Sequence, residues 1–140
     1  MPTPDVVAGW FKHALGDLRT ARAIVADEAL PPRWAVFLAQ QAAEKALKAS
    51  IASSGPEPPW IDDLVRLRSL APEPISVGTS SIALVALSVA VTAARCPDPD
   101  EPPYEHAEAA RLVADAGRLV DIVAGYLRSE GFVVSDMPPE

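Results

Sequence analysis

The sequence predicts an all-α protein, an up-and-down bundle of four to five helices, and three observations predict it. Its 15 prolines fall in clusters, at 2 and 4, 31 and 32, 56, 58 and 59, 72 and 74, 97, 99, 102 and 103, and 138 and 139. Proline lacks the amide donor and clashes with the preceding turn, so helices stop at such clusters. Alanine, the best helix former, supplies 25 residues, most of them between the breakers. The proline-free stretches 5–30, 33–55, 60–71, 75–96 and 104–137 carry apolar residues at helical spacing, and no alternating strand pattern or long-period repeat appears.

Each segment has its own pattern. In the first, Val7, Phe11, Ala14, Leu18, Ala21 and Val25 recur at spacings of four and three, one face of a bundle helix. In the second the same spacing picks out Ala35, Ala39, Ala42, Ala46 and Ala49, a thin stripe that lets a neighbour approach closely, with Trp34, Phe37, Leu38, Leu47 and Ile51 beside it. The third, with Ile61, Leu64 and Leu67, has room for about three turns. The fourth, from Ile82 to Ala94, is apolar nearly all round and must be covered on two sides. Either it is the central helix, or a second copy of the chain covers one face; a small bundle has few fully interior positions, which favours a homodimer. The last segment repeats the bundle pattern at Ala110, Val113, Gly117, Val120, Ala124 and Leu127.

Size and charge bound the function. With 140 residues the default is one domain, 1–140, with residues 1–4 and 131–140 as flexible ends. Cys96 alone cannot form an internal disulfide and no basic-then-apolar leader opens the sequence, so the expected location is the cytoplasm. The longest apolar-dominated run is shorter than the roughly 18 residues a membrane span needs, so no membrane is expected. A formal charge of −7 disfavours binding duplex DNA by bulk electrostatics. The imbalance is local, with nine residues of each sign in 1–97 but ten acids against three arginines in 98–140.

Few residues suggest chemistry. His13, His106 and Cys96 cannot build a structural zinc site, no glycine loop precedes a Lys-Ser or Lys-Thr pair, and neither metal nor cofactor is expected. The second helix is more informative. Gln41, Glu44, Lys45 and Lys48 fall within about 100° of arc opposite the alanine stripe, with Gln40 at its margin. The structural explanation is a solvated face in which Glu44 pairs with Lys48, worth a few tenths of a kcal/mol; the functional one is a polar recognition surface. Lys12, Arg19 and Arg22 lie along one side of the first helix and read as solvated charge. On the last helix Glu108, Arg111, Asp115 and Arg118 interleave signs structurally. Trp10, Trp34 and Trp60 read as core or helix-end packing rather than base-stacking platforms.

The string Gln40-Gln41-Ala42-Ala43-Glu44-Lys45-Ala46-Leu47-Lys48-Ala49 resembles the second-helix signature of the HEPN family, the "higher eukaryote and prokaryote nucleotide-binding" domains. The surroundings are similar too: Ala14, Asp17, Leu18 and Ala21 in the opening helix, Asp63-Leu64 in the short helix, and Arg95-Cys96-Pro97 where the family often has Arg-Tyr-Pro. The resemblance spans roughly residues 9–127. It implies a helical bundle that usually dimerises, a prokaryotic toxin–antitoxin or defence role, and often a minimal nucleotidyltransferase as partner.

Active HEPN nucleases carry an arginine followed, after four to six residues, by a histidine, and cut RNA without metal using the ribose 2′-hydroxyl. Here ten residues separate Arg95 from His106, four of them prolines and four of them acids. A tyrosine that receives nucleotides in some members lies two residues after that histidine, whereas Tyr104 lies two before His106. The expectation is therefore a non-catalytic module that binds a nucleotide, RNA or a partner protein through Gln41, Glu44, Lys45, Lys48 and Arg95. The alternative is an endoribonuclease using Arg95 and His106.

Overall fold

The computed structural model describes residues 4–95 and 104–134, with the side chains of 90–95 outside the description. The described residues form six helices and no strand: α1 (Pro4–Val25), α2 (Pro32–Ser53), α3 (Leu64–Leu70), α4 (Glu73–Gly78), α5 (Leu84–Arg95) and α6 (His106–Ser129). The proline clusters mark helix starts as well as stops. Pro32 occupies the first turn of α2 and Pro74 that of α4, where the missing amide has no intrahelical partner to lose. Asp63 caps α3, its Oδ1 accepting from Val65 N at 3.0 Å and Arg66 N at 3.4 Å. The cap starts α3 after Ile61, so the helix has two turns where three were expected.

The fourth segment divides. The chain leaves the helix at Thr79, which is fully buried with its hydroxyl donating to Ile75 O at 2.7 Å, and re-enters at Leu84. Arg68 closes the gap by donating from Nη1 to Thr79 O at 3.2 Å and Ile82 O at 3.3 Å. The C-terminal end of α6 is a Schellman turn in which Gly131 adopts φ +89°, Gly131 N donates to Arg128 O at 3.0 Å, and Phe132 N donates to Leu127 O at 2.9 Å. Of the ends expected to be flexible, Pro4 opens α1, Val134 is buried, and 1–3 and 135–140 lie outside the described residues.

The central helix is α2, not α5. Helix α2 packs against α1, α3, α5 and α6, and all five stripe alanines are inaccessible to solvent. The small side chains that make this helix thin also let neighbours close around it on every side. On α1, Val7, Phe11, Ala14, Leu18 and Ala21 face inward, as their spacing requires. Helix α6 buries a broader face than its single stripe, adding Ala109, Leu112, Ala116, Leu119 and Val123, while Ala110 stays exposed. Helix α5 lies at the edge. Leu84 and Leu87 enter the core, but Val85 is 65% and Val89 61% exposed, so its second apolar face is uncovered within one chain.

Candidate functional site

The polar stripe of α2 is covered, not solvated. Gln40 is fully buried and both ends of its amide are engaged: Nε2 donates to Asp62 O at 3.2 Å, and Oε1 accepts from Gln41 Nε2 at 2.6 Å. Lys45 reaches across to α1 and meets Asp17 Oδ2 at 2.5 Å, with about a quarter of each side chain exposed. Lys48 and Glu44 form the expected pair at 3.4 Å, but inside the protein, with side-chain exposures of 9% and 12%. The Lys48 ammonium also lies 5.4 Å from the centre of the Trp10 ring, a cation–π contact that compensates part of its lost hydration. Lys45 and Lys48 both meet residues of α1, so α1 covers the polar side of α2 opposite the alanine stripe, which sequence spacing cannot reveal. Of the two α2 lysines, Lys45 is paired with Asp17 of α1 and Lys48 is buried.

The remaining predicted residues lie around the α5–α6 connection. Arg95 is the last residue of α5, and its side chain is outside the description; Cys96, Pro97 and most of the acidic segment 98–105 lie outside the described residues. His106 opens α6 in a half-buried position, and its Nε2 is buried with no hydrogen-bond partner among the described residues. Next to it, an open groove of about 540 Å³ separates α5 from α6. Ala83, Ala86 and Val89 line one wall, and Glu108, Arg111, Asp115 and Arg118 line the other. Arg118 and Asp115 are paired at 2.5 Å across one turn of α6.

A second cavity, of about 340 Å³, sits at the opposite kind of junction, where α1 begins, α2 ends and the connector to α3 crosses between them. Val6 and Trp10 contribute from α1, Lys48 and Ala52 from α2, and Gly55 to Trp60 from the connector. Gly55 takes φ +117°, a left-handed turn that releases the chain from α2 into this stiff proline segment. Trp60 is 96% exposed, which corrects the expectation that all three tryptophans are packing residues; Trp34 is 42% exposed as well. The sequence marks this segment only as Pro58-Pro59-Trp60, a non-helical connector that carries an aromatic ring. Among the described residues no group of three histidines, cysteines or acids is placed to hold a metal ion. No described helix is long and apolar enough to cross a membrane.

A thin central helix with a covered Gln-Gln and Glu-Lys-Lys stripe, enclosed by four neighbouring helices, defines an all-α bundle of the type the second-helix string suggests. The HEPN domain family matches residues 7–126, and the chain belongs to that family. Among solved structures it is similar to the protein TT1696 from Thermus thermophilus, at 27% identity and TM-score 0.74, covering 85% of this chain and 96% of that one. It is also similar to ST0689, an archaeal HEPN homologue, at 28% identity and TM-score 0.66, covering 86% of this chain and 97% of that one. No curated protein matches the chain.

Proposed function

We propose that this chain is a non-catalytic HEPN module that binds a nucleotide or RNA end, or a partner protein, and does not cut RNA. The observation that carries the reading is the connection between Arg95 and His106. Ten residues with four prolines and four acids replace the short spacing of active nucleases. A general acid–base histidine must reach the proton it moves, and an acidic approach repels the phosphate that it would act on.

Of the residues proposed for binding, Gln41, Glu44, Lys45 and Lys48 are engaged within the fold, and Lys48 also lines an open cavity. Lys45 keeps a quarter of its side chain in solvent, and Arg95 would add a second cation. In this reading the module works in the cytoplasm as half of a prokaryotic toxin–antitoxin or defence pair, with a minimal nucleotidyltransferase as its partner. The acidic segment 98–105 would cover a basic surface of that partner, giving a complex that weakens with salt. The uncovered face of α5, with Val85, Ala86 and Val89 exposed, supports a homodimer.

One observation favours the second reading, a metal-independent endoribonuclease using Arg95 and His106: Nε2 of His106 has no hydrogen-bond partner among the described residues. Equilibrium binding of end-labelled RNA and of mononucleotides in EDTA, followed by gel analysis of the recovered RNA, separates the two. Saturable binding with intact RNA supports the module. Recovery of shortened RNA supports the nuclease, and no binding of any nucleic-acid ligand leaves only a partner-protein role.

A further inference from the structure

We propose that the cavity between the start of α1, the end of α2 and the connector before α3 is a binding site for a purine base, carried by a nucleoside or mononucleotide. This rests on the nucleotide-binding reading above and specifies which side chains hold the base. The ring of Trp60 is 96% exposed on the rim of the cavity. An aromatic side chain of that size is seldom left so fully in water. The backbone that carries it is restrained, because Pro59 has a fixed φ and Pro58, one residue earlier, is buried. The ring is therefore presented to solvent by a stiff strap, which suits stacking against a flat ligand.

Lys48 forms part of the cavity wall and is 7% exposed. An ammonium group has three donors. Among the described residues, Glu44 at 3.4 Å is the only hydrogen-bond partner, and the Trp10 face at 5.4 Å offers no lone pair. Donors held that deeply require an acceptor. Glu57, exposed, contributes a carboxylate that can only accept. The rest of the lining is apolar, chiefly Val6, Ala52 and the three prolines.

A ligand fitting these groups has a flat face for Trp60, an acceptor for Lys48 and an N–H donor for Glu57. A purine meets all three through its ring nitrogens and exocyclic groups. The cavity's volume of about 340 Å³ accommodates a base with its ribose. Phosphate recognition does not fit: the one ammonium is already paired with Glu44, and Glu57 adds a carboxylate to the lining, so the base is read and any phosphate points outward. A proline-rich peptide would also stack on tryptophan, but such peptides lie along extended aromatic grooves. This cavity is bounded by three elements and carries one fully exposed ring.

The test is titration of the full chain with adenosine, guanosine, their monophosphates, cytidine, inorganic phosphate and a proline-rich peptide, followed by calorimetry and by tryptophan fluorescence. Purine nucleosides are expected to bind at one site per chain, their monophosphates within about threefold of them, with cytidine weaker and phosphate not competing. Trp60→Ala removes an exposed ring, so the fold is expected to persist by circular dichroism while purine affinity falls at least about tenfold. Glu57→Gln is expected to weaken it several-fold. Unchanged purine affinity in Trp60→Ala overturns the site and leaves the nucleotide-binding reading standing. Failure of the wild type to bind any nucleoside, nucleotide or RNA overturns both. Competition by phosphate, or peptide binding that depends on Trp60 while purines fail, also overturns the assignment.

Discussion

Replacing Glu44 with leucine tests whether the polar stripe of α2 is truly interior. The substitution keeps the side-chain volume roughly constant but leaves the Lys48 ammonium, 7% exposed, without its anionic partner. Removing one member of a buried ion pair costs about 3–5 kcal/mol. The pair distance of 3.4 Å is long, and the Trp10 face 5.4 Å away retains part of the stabilisation, so the lower end applies, about 3 kcal/mol. For a chain of this size that lowers the melting temperature by about 12 °C. The double variant Glu44→Leu/Lys48→Met, which removes both charges, should return to within about 1 kcal/mol of the wild type. Arg118→Ala is the control: its pair with Asp115 is shorter, at 2.5 Å, but Arg118 is 58% exposed, and the loss should stay under about 0.5 kcal/mol. Urea denaturation followed by far-ultraviolet circular dichroism measures all three. A Glu44→Leu cost no larger than that of Arg118→Ala would refute the buried placement.

Other substitutions probe the rest of the bundle. Ala46→Leu inserts three carbons at the fully buried α2 stripe and should cost at least about 1–3 kcal/mol in the same denaturation assay. Gly131→Ala places a Cβ at φ +89° and should cost about 1–2 kcal/mol, whereas Gly16→Ala, with nothing within 4 Å of the new methyl, should stabilise by about 0.5–1 kcal/mol. If a second copy covers α5, Val85→Asp with Val89→Asp should convert a dimer of the chain to a monomer by light scattering, because both residues are more than half exposed in one chain. A wild type that is already monomeric at micromolar concentration would contradict the homodimer.

Helical periodicity located α1 and α6 because those helices bury one face, which repeats every three to four residues, and α2 because its alanine stripe repeats at the same spacing. What spacing could not rank was burial. By hydrophobicity alone the Ile82–Ala94 stretch looks more interior than a helix carrying Gln40, Glu44 and Lys48, yet the alanine helix is the hub. Alanine contributes little apolar area but permits close approach on one side, while α1, through Asp17 and Trp10, covers the polar side of the same helix. The partner of Lys45 is Asp17, 28 residues away, a relation that depends on how α1 crosses α2. The break between α4 and α5 turns on Thr79 bonding back to Ile75 and on Arg68 bridging the gap, contacts made only after packing. Family membership was legible because Gln40 to Ala49 carries both the stripe and its polar flank in one string. The exposure of Trp60 was not, because an aromatic residue beside prolines is compatible with packing and with display.

In the proposed reading, the chain keeps the fold of an RNA-cutting family without the cut. Attack by a ribose 2′-hydroxyl on the adjacent phosphodiester leaves a 2′,3′-cyclic phosphate and a 5′-hydroxyl, so the direct measurement is the yield of those ends from RNA incubated in EDTA with stoichiometric protein. Wild type, Arg95→Ala and His106→Ala are predicted to give the same yield as buffer alone. Cyclic-phosphate ends formed by the wild type and lost in either variant would contradict that reading.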